Sequence, residues 1–145
     1  MKSRHLNTIR IPLIVLILNA LIYQLVHIGF GYFGPILFNS IRIIAIVSAA
    51  WLLVEKNGYS IASASFVGPF FLFIDHVLLG GGLGLITTDF TQINVDGTER
   101  LLFENMEASF LSGIFVSFLM FFPVSIIFGA LGGYLAKNGS QGEAT

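Results

Sequence analysis

The sequence predicts an all-α integral membrane protein, a four-transmembrane-helix bundle with a small extracytoplasmic β-hairpin between spans three and four. Composition is the first reason: 10% of the 145 residues are charged, against about 25% in a soluble domain. Hydropathy is the second, with 55% of residues hydrophobic and a mean hydropathy of +0.87. The third is that the apolar residues gather into continuous runs. Each is long enough to cross roughly 30 Å of hydrocarbon as α-helix, which takes about 20 residues. A membrane barrel would show segments of alternating polarity instead. Residues 1–145 read as one membrane domain.

The first run covers residues 11–30 and holds no charge. It follows a basic start, Met-Lys-Ser-Arg-His, and has the outline of a secretory signal. The run is too long for one, and no small-x-small site ends it, so it reads as a retained first span. Gly31-Tyr32-Phe33-Gly34-Pro35 is a tight turn that pairs it with the second run, residues 35–54, whose one charge is Arg42. Another short turn, Glu55-Lys56-Asn57-Gly58, leads to the third run, residues 61–80, with Asp75 as its one charge. The long loop, residues 87–109, alternates over Thr91–Val95, offers Asp96-Gly97 as a hairpin turn and returns over Thr98–Phe103. Such a hairpin is marginal alone and needs the bundle or a partner beneath it. The fourth run, residues 110–135, is uncharged and precedes a polar tail, 137–145.

Orientation follows from the basic residues. Lys2, Arg4, Arg10, Lys56 and Lys137 fall on one side of this layout, and Arg100 on the other, among Asp89, Asp96, Glu99, Glu104 and Glu107. The positive-inside rule then places both termini in the cytoplasm and the chain in the plasma membrane, the bacterial inner membrane. Trp51, Tyr59 and Tyr134 fall at the inner boundary and Tyr32 at the outer one. The sequon Asn138-Gly139-Ser140 lies on the cytoplasmic side and should be silent.

Several function classes drop out. A formal net charge of −1 is unsuited to nucleic acid, which needs concentrated Lys and Arg. The chain has no cysteine, which removes disulfides, thiol redox chemistry, iron–sulfur clusters and cysteine-ligated zinc. Gly80-Gly81-Gly82-Leu83-Gly84 lacks the strand, lysine and spacing of a phosphate loop and reads as a flexible helix end. No nucleophile elbow accompanies the serines. No cofactor is expected.

Packing signals are clear. Ser109, Gly113, Ser117, Ser125, Gly129 and Gly133 recur at a stride of four along span four, interrupted at Phe121. Such a stripe lets another backbone come close. Ala64, Gly68, Gly80 and Gly84 form a partial counterpart on span three, and Ala45 and Ala49 on span two. The stripe serves either packing within the bundle or the seam of a homo-oligomer or membrane-protein partner. Pro69 and Pro123 should bend spans three and four; Asn19 reads as interhelical glue.

The most informative residues are the polar ones inside the spans. Gln24 and His27 near the end of span one, Asn39 and Arg42 early in span two, and Asp75 and His76 late in span three all fall in one outer slab of the membrane. A lone charge at mid-span costs about 2.5–3.5 kcal/mol on insertion scales. Arg42 and Asp75 are the ionisable pair of opposite sign at matching depth, so a salt bridge is expected, with Gln24, His27, Asn39 or His76 completing it. Adjacent on a helix and about 100° apart, Asp75 and His76 should face different partners. His27, Asp75 and His76 lack the spacing of a metal site, and no metal is expected.

Two functions remain. One is a non-catalytic accessory, assembly or interaction component, in which the buried pair fixes helix register. The other is a small oligomeric transporter or channel that uses the cluster for an anion or a proton-coupled solute.

Overall fold

The computed structural model describes residues 3–26, 33–83, 91–93, 99–101 and 103–142. They are nearly all helical. Three helical stretches are long and apolar enough to cross a membrane: Gly34–Asn57, Ile61–Gly81 and Ser112–Gly139. Their outward faces carry large apolar side chains such as Ile44, Phe66, Met120 and Ile127, each more than 60% exposed. Water would not tolerate so continuous an apolar surface, and lipid does. The protein is a membrane protein.

Helix α1, Ser3–Thr8, is followed at once by α2, Arg10–Val26. Pro12 explains the break at Ile9, because its ring excludes the carbonyl four residues back. The chain still turns tightly there, with the Leu13 amide donating to the Ile9 carbonyl at 3.0 Å. α2 is 17 residues long, about 26 Å at 1.5 Å per residue, and is shorter than the run read from the sequence. Residues 27–30, including His27, lie outside the described residues.

Helix α3, Phe33–Asn57, accepts Pro35 in its first turn, where the missing amide is an orphan anyway. It packs antiparallel to α2, with Ile9, Leu16, Ala45, Ile46, Ala49 and Leu53 buried together. Asn19 donates from Nδ2 to the Phe38 carbonyl at 3.2 Å across this seam. Gly58, at φ 66°, supplies the left-handed residue that ends α3.

The third stretch has three parts. Helix α4, Ile61–Ser65, is capped by Ser60, whose hydroxyl accepts from the Ser63 amide at 3.1 Å. Helix α5 covers Val67–Leu72, and a π-helical segment continues from Phe73 to Leu83. Pro69 interrupts the ladder at Phe66, as expected of it, and leaves the Ser65 carbonyl without an intrahelical donor. The π segment was not foreseen; the glycine run that ends it has the weakest hold on α geometry.

Helix α6 runs from Phe103 to Gly142 with Pro123 inside it. It takes in residues assigned from sequence to the loop and to the polar tail. Glu104 and Glu107 suit a helix N-terminus by charge, so the helix begins well before the apolar run does. α6 packs antiparallel to α4, α5 and the π segment, and parallel to α3.

Between the π segment and α6, strands β1 (Thr91–Ile93) and β2 (Glu99–Leu101) pair antiparallel, with Gln92 opposite Arg100. The Asp96-Gly97 turn expected between them lies outside the described residues.

Candidate functional site: a buried ion pair beside a membrane cavity

Three helical stretches bring the cluster together. Arg42 comes from the third turn of α3, one turn before Ile46. Asp75 and His76 come from the first turn of the π segment. Arg42 Nε lies 2.8 Å from Asp75 Oδ2, so the expected ion pair forms. The Asp75 side chain is 1% exposed and that of Arg42 22%. The contact is ionic rather than an aligned hydrogen bond: neither Arg42 Nε nor either Asp75 oxygen has a well-directed partner among the described residues.

Asn39 holds the guanidinium from the preceding turn of α3, accepting from Arg42 Nη1 at 2.8 Å. Tyr23 of α2 lies beneath it, with the guanidinium carbon 5.7 Å from the ring centroid, a cation–π distance. Tyr23 also meets Phe38 edge-on, centroids 5.1 Å apart. The sequence reading passed over Tyr23. Its depth, one residue before Gln24, was the available signal.

His76 departs from expectation. Its Nδ1 sits 3.1 Å from the same Asp75 oxygen that Arg42 approaches. The two adjacent side chains therefore share a neighbourhood instead of diverging. A π turn holds more residues than an α turn, so successive side chains are separated by a smaller angle. The His76 ring packs on Phe121 of α6, centroids 5.9 Å apart. Of the remaining cluster candidates, Gln24 falls in the last turn of α2, but its side chain, like all of His27, lies outside the described residues.

Arg42 and His76 face a cavity of about 300 Å³ enclosed by α3, the third stretch and α6. Asn39 shares its polar end, and Ile46, Leu72 and Phe128 line its deeper part. Ser125 is also in the wall, but its hydroxyl is committed to the Phe122 carbonyl at 2.7 Å.

The small residues divide into two groups. Gly68 faces the backbone of Ser125, and a Cβ there would fall on the Ser125 carbonyl. Reciprocally, a Cβ at Gly129 would lie 2.5 Å from the Ser65 carbonyl, the group that Pro69 frees. Gly133 approaches Ile61, and Gly132, outside the stride of four, presses on the Val47 carbonyl of α3. The C-terminal half of the stripe is thus consumed by packing. In the N-terminal half, a Cβ at Gly113 would have nothing within 4 Å among the described residues, and Ser117 is half-buried. Ser109 falls within α6, its side chain outside the described residues.

No group of three or more metal-ligating side chains gathers among the described residues. Comparison with known proteins adds nothing to this. No family model, curated protein or solved structure matches the chain.

Proposed function

We propose that the chain is a non-catalytic interaction component of the plasma membrane, crossing it four times with both termini in the cytoplasm. The first apolar run, residues 11–30, makes the first crossing, and α2 is its described part. The β1–β2 pair belongs to a hairpin over the outer face. The observation that carries the interaction role is the division of the stripe on α6. Ser125, Gly129 and Gly133 are occupied, while Gly113 is exposed, with nothing among the described residues within 4 Å of where a Cβ would stand. A helix of another membrane protein, or of a second copy, fits there by close backbone approach. The ion pair supports a non-catalytic role: its carboxylate is sealed and its charge is answered in place, as suits a device that fixes register.

A second reading, a small oligomeric transporter using the cluster for an anion, draws on one observation. Arg42 and His76 keep 22% and 17% of their side chains exposed beside the cavity. Co-purification from native membranes in mild detergent separates the two. The accessory reading expects a stable partner that is lost in Gly113→Leu, with the melting temperature unchanged. A lone species, indifferent to that substitution, would remove it.

A further inference from the structure

The polarity of the cavity is ordered along the membrane normal. Asn39, Arg42 and His76 form its upper rim, and Ile46, Leu72 and Phe128 its floor. Phe121 packs on the His76 ring and so marks the rim on α6. Phe128 lies seven residues further along, about 10 Å deeper at 1.5 Å per residue. Half of the hydrocarbon core is about 15 Å. The cavity therefore runs from the charged slab most of the way to the midplane. Two of its lining residues, Phe121 and Val124, are also part of the exposed apolar surface, at 50% and 42%. A solute from water would meet an apolar floor, whereas an amphiphile already in the bilayer meets its own polarity profile.

The rim carries a guanidinium. Arg42 points Nε at Asp75 and gives Nη1 to Asn39. The side chain keeps 22% of its surface exposed beside the cavity. Guanidinium prefers planar, charge-assisted contacts with carboxylate or phosphate. At about 300 Å³ the cavity stands at the lower limit of ligand pockets, which span about 300–1,000 Å³. That suits one acyl chain and not two. We propose that this cavity binds a single-chain anionic amphiphile, a fatty carboxylate, entering from the outer leaflet with its carboxylate on the Arg42 guanidinium and its chain directed to Phe128. The inference is independent of the protein-interaction role.

The test is photolabelling in phosphatidylcholine nanodiscs with palmitate carrying a mid-chain diazirine, mapped by mass spectrometry. Expected is saturable labelling concentrated on residues 43–46 and 121–128. Excess palmitate should suppress it; neither decylamine nor phosphatidylglycerol should. Val124→Phe, which fills part of the cavity without touching the ion pair, should abolish it. Arg42→Lys, which keeps a cation for Asp75 but loses the guanidinium's further donors, should lower it about tenfold, the loss that accompanies removal of a charge-assisted hydrogen bond. Labelling spread evenly over lipid-facing positions, or unaffected by excess palmitate, overturns the proposal. Equal suppression by phosphatidylglycerol also overturns it, in favour of a two-chain lipid. The wild-type competition profile decides the matter even if a variant does not fold.

Discussion

Arg42 and Asp75 are each tolerable in the hydrocarbon region only because of the other. Removing one leaves an uncompensated charge at a site where the partner carboxylate is 1% exposed. Arg42→Leu or Asp75→Leu should each destabilise the protein by about 3–5 kcal/mol. The double replacement should return close to wild type, because a matched apolar pair needs no partner. Thermal unfolding of all four proteins in one detergent gives the coupling directly, and additive losses would contradict it. Asn19 is a milder case. It is 4% exposed, and its Oδ1 has no partner among the described residues while Nδ2 reaches the Phe38 carbonyl. Asn19→Leu should change stability by about 0.6 kcal/mol, the average found for interhelical hydrogen bonds in membranes. Arg42, Asp75 and Asn39 were legible in the sequence because charge in an oily run demands an answer at the same depth. Tyr23 was not, since an aromatic in such a run usually needs no explanation.

Among the elements, α6 separates legible from illegible most clearly. The stride of four in Ser125, Gly129 and Gly133 announced close packing, and these residues do meet α3 and the third stretch. Gly132 broke the stride and went unnoticed, yet its Cα lies against Val47. A single helix meets two neighbours at different angles, so one stripe cannot describe both contacts. Gly129→Val and Gly132→Val should each prevent stable folding, because backbone stands where the new side chain would go. Gly113→Ala, with open space around it, should shift the melting temperature by no more than about 2 °C. The π segment lay beyond sequence reasoning altogether. Hydropathy reports which residues meet lipid, but not whether the hydrogen bonds span four residues or five.

For the molecule as a whole, the number and length of the apolar runs carried the membrane assignment. The boundaries came out less well, because helices extend past their apolar parts wherever flanking residues allow it. That is why α6 begins at Phe103 and ends at Gly142. Topology is directly testable, since the native chain has no cysteine. Single cysteines in place of Lys56 and of Asp96 should differ in intact cells. Asp96→Cys should react with a membrane-impermeant maleimide, and Lys56→Cys only after lysis. The opposite pattern would invert the orientation drawn from Lys2, Arg4, Arg10, Lys56 and Lys137.

The close fit of Gly68 against Ser125 and of Ser65 against Gly129 bears on biogenesis. Both halves of each contact come from stretches far apart in the chain, and the half on α6 leaves the ribosome well after the other. Arg42 and Asp75 are synthesised well before it and are free to associate while the nascent chain is still tethered. Until α6 arrives, the Ser65 carbonyl released by Pro69 faces acyl chains with no covering surface. A chain truncated before residue 103 should therefore insert into the membrane, yet be recognised by membrane proteases as unfinished and be rapidly degraded.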